Sequence, residues 1–309
     1  MSQTLFKSSK HALAKSSLVE RRRRWVGMRR LLRSLRASPV GICGSLIVAG
    51  VLLVALLGPW LTPHDPTTAN FRAREQPPAG LEGGSWEYPL GTDQLGRDIL
   101  SRIIVGTRVS VVIGIASVLI SSVLGVMIGL LAGFLGGWID LGLMRIVDAT
   151  LAIPYIVLVV AVSGVVGPGL LTLIFILALI NWQAYSRVVR SEVLSVRERD
   201  YVTAAYAIGQ KKLPIMLRHI LPNVTASIIV LAALQVALTI LAESSLSFLG
   251  LGVQPPTITW GLIAADGREL VGSAWWIATM PGIAITLTVL GITFLGDWLR
   301  DYLDPQLQP

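Results

Sequence analysis

Charge is scarce in this chain: Asp, Glu, Lys and Arg make up 14% of its 309 residues, against 53% hydrophobic residues and a mean hydropathy of +0.68. A soluble domain carries about 25% charged residues, so too little polar surface is available for water, and the composition excludes an ordinary soluble fold in favour of a membrane protein. One cysteine, Cys43, excludes an intrachain disulfide and a thiolate metal cluster. The three histidines, His11, His64 and His219, have no ligand partner at a useful spacing, which excludes a histidine metal site. No phosphate loop is present: "GQKK" at 209–212 lacks both the upstream glycine and the hydroxyl residue after lysine. His-Glu-x-x-His, Gly-x-Ser-x-Gly and paired cysteines are missing too. The chain therefore reads as a non-enzyme, with no catalytic residues, no metal and no cofactor of its own.

The charge that is present is unevenly placed. Residues 1–38 hold eleven Lys/Arg (among them Lys7, Arg21, Arg24, Arg30 and Arg36) against the single acid Glu20, so the tail is +10 and the rest of the chain −2, for a net charge of +8. It lies directly before an apolar run, where the positive-inside bias and anionic lipid headgroups account for it. With no groove-reading module behind it, nucleic acid is not an expected partner.

Long apolar runs give six candidate spans: 40–61, 107–134, 146–166, 170–186, 224–247 and 276–297. The fourth is short and is closed by Asn181, Trp182 and Gln183. The expected organisation is all-α and polytopic. A basic tail (1–39) leads into a first span (40–61) and a segment rich in Pro and Gly (62–106). A five-helix core (107–298), interrupted by a loop at 187–222, runs to a short C-terminus (299–309). The 187–222 loop carries Arg187, Arg190, Arg197, Arg199, Lys211, Lys212 and Arg218 against three acids, whereas 62–106 has four arginines against six acids. Both biases place the tail, the loop and the C-terminus on the cytoplasmic side and 62–106 on the other. Trp60, Trp138, Trp182, Trp275, Trp276 and Trp298 fall near run ends and suit headgroup belts.

Ser117, Ser121, Gly125, Gly129 and Gly133 recur every fourth residue and line one helix face, admitting either intramolecular packing or a dimer seam. Ionisable groups inside spans are few. Arg145 and Asp148, three apart, can satisfy each other on one face. Glu243, with Gln235 eight residues earlier near the same face, either borders a solute path or is structural.

Within the cytoplasmic loop, "RERDYVTAAYAIGQKKLPIMLRHILPN" (197–223) reads as two short helices. Asp200 caps the first, Gly209 ends it in a left-handed turn, Pro214 sits in the first turn of the second, and Pro222 with Asn223 ends that and starts the next span. Such a hairpin either lies on the membrane surface or docks a partner.

The same stretch resembles the "EAA" loop of ABC-importer permeases, Glu-Ala-Ala, three residues, Gly, nine residues, Ile-x-Leu-Pro. Thr203, Ala204, Ala205, Gly209, His219, Leu221 and Pro222 occupy its marked places, with Thr203 for the acid and His219 for isoleucine. "GTDQLGRDILSR" (91–102), "MRIVDATLAIP" (144–154), "LSFLGLGVQPPTITWG" (246–261), "SAWWIATMPGIAI" (273–285) and "GDWLRDYLDPQL" (296–307) are similar to the C-type permease of dipeptide and oligopeptide ABC importers. Trp298 stands where relatives commonly have a small residue.

The resemblance implies a type I importer permease fold in a bacterial inner membrane. Its expected partners are a homologous B-type permease, two ATPase subunits that bind ATP and Mg, and an extracytoplasmic solute-binding protein. It further implies that residues 200–222 transmit force, with Ala204 and Ala205 as a close-packing face and Gly209 as a hinge. Gly91, Thr92, Asp93, Gly96, Arg97, Asp98, Ser101 and Arg102 form a polar lattice that is either a structural clasp or a binding-protein contact. Relatives carry dipeptides, oligopeptides, glutathione, nickel complexes, opines or sugars. A stand-alone secondary transporter is the rival class, and it would need an inverted repeat or buried coupling-ion ligands, neither visible here.

Overall fold

The computed structural model describes residues 33–303, so most of the basic tail and residues 304–309 lie outside it. Its framework is helical. Ser38 accepts a hydrogen bond from the Gly41 N–H (3.1 Å) and Pro39 opens α1, Pro39–Leu61, a side-chain cap followed by a residue preset for the first turn. Asp98 caps α2, Ile99–Leu135, accepting from the N–H groups of Leu100 and Ser101 at 3.3 and 3.0 Å. Then come α3, Gly137–Leu151, α4, Tyr155–Val166, and α5, Leu170–Arg197. The lower end carries α6, Asp200–Ala207, and α7, Lys212–Ile215, followed by α8, Leu221–Phe248. A short helix α9, Trp260–Asp266, and the long α10, Trp276–Leu303, complete the bundle. We call the end that carries residues 62–98 upper and the end that carries 198–220 lower.

Among the described residues five helices are long and apolar enough to cross a membrane, and the pair α3 and α4 supplies a sixth if counted as one span bent by 85°. The straight third span expected at 146–166 is therefore corrected. Pro154 lacks an N–H and disfavours helical geometry at the residue before it, which breaks the run at 152–154. The twelve residues of α4 reach only about 18 Å, short of a hydrocarbon core of about 30 Å. The second span starts earlier than expected, at Ile99. The fourth continues eleven residues past Ser186: Asn181 donates to Thr239 Oγ1 at 2.9 Å, and Trp182 and Gln183 are buried in the bundle.

The stripe of small residues does intramolecular work. Ser117 donates to the Ile174 carbonyl at 3.2 Å, and going down α2 the glycines meet successively later turns of α5, so the two helices run parallel. A methyl placed on Gly129 would lie 2.7 Å from the Ser186 carbonyl oxygen, and one on Gly133 2.9 Å from Val193 Cβ. Two backbones thus meet where any side chain would hold them apart, which is how helices gain dispersion energy in a medium that offers no hydrophobic drive. Polar contacts fix the register. Arg190 pairs in a two-pronged fashion with Asp140 (2.5 and 2.7 Å), and Arg197 donates to the Gly133 carbonyl at 2.9 Å. Asp148 takes its partner from α5 too: Arg187 reaches it at 2.7 Å, so the expected Arg145–Asp148 pair gives way to an interhelical one.

On the opposite side α1 packs antiparallel on α10, with Gly44 against Gly291 and the Trp298 indole over Gly41. Trp298, Trp182 and Trp276 are buried, which corrects their assignment to headgroup belts; Trp60 and Trp138 are the strongly exposed ones of that set. The apolar outer faces of α1 and α2, for example Leu46, Leu56, Leu119 and Val123, are exposed, as a lipid-facing surface requires.

Candidate functional site

Two constellations stand out, one at each end. The lower one is the segment 198–222. Arg199 holds the N-cap position of α6, its carbonyl accepting from Val202 (2.9 Å) and Thr203 (3.2 Å), and no side chain caps the helix. Asp200 sits one residue further in, which corrects its expected capping role; there its charge opposes the positive helix end. At the other end Gly209 has φ +80°, its N–H donating to the Tyr206 carbonyl (2.9 Å) and that of Gln210 to Ala205 (3.1 Å). This is the paired closure of a helix that requires a left-handed residue. A side chain on Gly209 would meet open space, so backbone conformation alone demands glycine.

Val202 and Ala205 face inward, into an apolar cluster with Leu130 and Phe134 of α2, Val189, Val193 and Val196 of α5, and Ile215, Ile220 and Val224. Ala204 and Thr203 face outward. The expected shared face of Ala204 and Ala205 is therefore split: Ala205 anchors the helix and Ala204 is free to touch something else. Tyr206 stacks on Phe134 with ring centroids 6.2 Å apart, and burial pushes its hydroxyl above the usual tyrosine range. Around Ala204 the surface is apolar, with Tyr201, Ile208 (75% exposed), Leu213 and Leu217 all showing.

No new helix starts at Pro222. Residues 212–248 form one continuous helix with a π-helical turn at Met216–Ile220, where the Leu221 N–H reaches back to the Met216 carbonyl. Pro222 has no N–H to give the residue four before it. The wider turn absorbs the mismatch, and Asn223 Nδ2 donates to the His219 carbonyl at 2.7 Å. Turns of this kind concentrate at functional sites. The departing residue His219 also has a job: its Nε2 lies 3.0 Å from Gln210 Oε1, joining the turn after Gly209 to the π turn. Leu221 packs against the same apolar cluster.

The upper constellation gathers the lattice 91–102. Asp93, fully buried, accepts from the N–H groups of Leu95 and Arg97 (both 2.9 Å), from Arg97 Nε (2.7 Å) and from Arg102. Arg102 is 2% exposed and also donates to Asp266 at 2.9 Å, while Arg97 reaches Asp266 at 3.2 Å. Asp98 accepts from Ser101 Oγ at 2.5 Å, Thr92 bonds the Ala73 carbonyl, and Gly91 and Gly96 adopt φ +78° and +73° in the turns between. Trp276 Nε1 donates to the Thr92 carbonyl at 3.1 Å, and Gln94 Nε2 to the Asp266 carbonyl at 2.7 Å. The lattice thereby ties the start of α2 to α9 and α10. Asp266 was missed from the sequence; an acid closing the short run "WGLIAAD" was the available signal.

Glu243 is wholly buried, bonded by Ser247 (2.8 Å) and Ser244 (3.3 Å), with the Ser110 and Thr259 hydroxyls beside it. Gln235 is buried two turns below. Among the described residues no cluster of His, Cys, Asp or Glu could hold a metal ion.

The family of binding-protein-dependent transport system inner membrane components matches residues 125–309. This chain belongs to that family. A second match, the N-terminal transmembrane domain of oligopeptide transport permease C, covers residues 28–78 and so accounts for α1. The chain is 43% identical over 265 residues to the di/tripeptide transport system permease protein DppC of Pseudomonas aeruginosa, covering 86% of this chain and 88% of that one. It is 40% identical to the dipeptide transport system permease protein DppC of Haemophilus influenzae (88% and 92% covered). To the probable D,D-dipeptide transport system permease protein DdpC of Escherichia coli it is 37% identical (90% and 91%). As a member of this family it is an inner-membrane, multi-pass permease component with the type I importer fold.

Proposed function

We propose that this permease forms half of the translocation path of an ATP-driven importer of short peptides, with a homologous permease as the other half. The observation that carries the reading is the segment 198–222: a short helix seated by Val202 and Ala205 on the ends of α2 and α5, presenting Tyr201, Ala204, Ile208 and Leu213 to a partner. Two ATPases carrying ATP and Mg dock one on each permease. A displacement of α6 then passes to α2 through the Phe134–Tyr206 stack and to α8 through the His219–Gln210 contact. The bundle rocks between inward- and outward-open states, as alternating access requires. The termini and the 198–222 segment lie in the cytoplasm, and residues 62–98 meet the solute-binding protein. The lattice around Asp93 acts first as a clasp, because its charges are spent on one another. The naming of relatives at 37 to 43% identity after dipeptides supports the substrate class.

The test uses Ala204→Trp and Gly209→Val. Ala204 is exposed, so bulk there leaves folding intact while blocking a docked ATPase; valine at φ +80° strains the turn by about 1–3 kcal/mol. Both should abolish dipeptide uptake and ATPase co-purification at unchanged membrane levels. Normal uptake by Ala204→Trp would refute the docking role.

A further inference from the structure

A cavity of about 760 Å³ opens at the lower end between α5, α8 and α10. Its wall is mixed: Val188, Val230, Leu231 and Leu234 supply apolar surface, Asn223 and Ser227 polar groups, and three charged side chains, Glu192, Arg199 and Arg300, line it as well. Both guanidinium groups are exposed at the mouth of the cavity, and neither has a hydrogen-bond or ion-pair partner among the described residues. Glu192 is half-buried, and one of its oxygens accepts from Ser227 Oγ at 3.0 Å. Several guanidinium groups elsewhere in the bundle are already taken by carboxylates, Arg190 by Asp140 and Arg97 and Arg102 by Asp93 and Asp266, whereas these two are free to take one from a ligand.

Resting on the peptide reading above, we propose that this cavity is a binding site for the zwitterionic backbone of a short peptide, with Arg199 and Arg300 taking its α-carboxylate and Glu192 its ammonium group. The size lies within the range of ligand pockets, roughly 300–1,000 Å³. Guanidinium groups favour a carboxylate through two-pronged, charge-assisted hydrogen bonds, and the apolar part of the wall accommodates side chains without reading them. A simple anion or a lipid phosphate would use the arginines and gain nothing from Glu192. Arg199 is also the N-cap residue of α6, so an occupant of the cavity touches the residue from which the docking helix starts.

The experiment uses the assembled transporter, both permeases and both ATPases, in lipid nanodiscs without the solute-binding protein. Equilibrium binding of radiolabelled dialanine is compared with that of N-acetyl-dialanine and dialanine amide. In the wild type each cap should weaken binding roughly tenfold, the loss of one charge-assisted contact. In Glu192→Gln the acetyl cap should cost little further while the amide cap still does; in Arg300→Gln and Arg199→Gln the pattern should invert. Equal cap penalties in wild type and variants would overturn the site even where the wild type imports dialanine. An amide penalty with no acetyl penalty in the wild type would make it a general anion site and refute the zwitterion assignment. No dialanine uptake by the complete wild-type system in proteoliposomes would instead sink the peptide reading, and this ligand with it.

Discussion

Replacing Asp93 by alanine removes the acceptor on which the upper lattice converges. Four donors point at that carboxylate: the N–H groups of Leu95 and Arg97, the Arg97 guanidinium and that of Arg102. Breaking a buried ion pair from one side costs about 3–5 kcal/mol, because a buried charge is left behind. Here Asp266 still holds Arg102 at 2.9 Å but is itself 30% exposed at its side chain, so the relief is partial. Two backbone donors lose their partner as well, at about 1 kcal/mol each. A total of about 4 kcal/mol is expected, on the order of a 10 °C fall in the melting temperature. Asp266→Ala leaves the Asp93–Arg102 pair intact and should cost about 1 kcal/mol, as partly exposed pairs do. Heating the detergent-solubilised chain and following the monodisperse fraction by size exclusion measures both. High salt should leave the Asp93→Ala deficit in place, since screening acts mainly on solvent-exposed charges. Equal melting temperatures for the two variants would refute the view that Asp93 is the centre of the clasp.

Gly129→Val places carbons inside the α2–α5 contact, where 2.7 Å is available; overpacking of about 1–3 kcal/mol or more should lower both melting temperature and membrane level. Gly142→Val, which meets nothing within 4 Å, is the control and should be near neutral. Glu243→Gln keeps the capacity to bond Ser244 and Ser247 and should melt within a few degrees of wild type, whereas Glu243→Ala leaves the ring of hydroxyls without its acceptor and should lose about 2 kcal/mol. Should Glu243→Ala keep full stability yet lose uptake, the residue serves the solute path and not the packing. Gly41→Leu, against a Trp298 ring 2.7 Å from the added carbon, should loosen α1 and expose its ends to protease earlier than in the wild type.

Helix existence was legible because a run of apolar residues long enough to span leaves the backbone no alternative in lipid. Where helices stop was less so. Asn181 and Gln183 look like the end of a span until Thr239 partners the one and the interior of the bundle covers the other, and a partner 58 residues away leaves no local trace. The same holds for Asp148, whose nearest basic residue in sequence is Arg145 but whose nearest in space is Arg187. The bend at 152–154 was signalled by Pro154, though proline alone says only that a helix is interrupted, not that its halves turn by 85°. At the lower site Gly209 announced its own backbone conformation, while the opposite facing of Ala204 and Ala205 depended on which side α2 and α5 occupy. Asp266 escaped notice because the clasp it completes joins segments 164 residues apart.

The glycine seam makes α2 and α5 a composite beam. Two parallel rods in backbone contact, pinned at the bottom by Arg197 on the Gly133 carbonyl and higher up by Ser117 on that of Ile174, resist bending and sliding far better than either helix alone. Between Phe134 and Ser117 the pinned stretch is about 25 Å long, at 1.5 Å per residue, and α2 continues upward for about 23 Å more to Arg102. A push received at Tyr206 therefore arrives at the opposite face of the membrane as a tilt, with little lost to flexing on the way. Compliance is left to the Ala152–Pro154 break and the turn at Gly209, and the stiffness of the rest sets how small a movement below can be felt above.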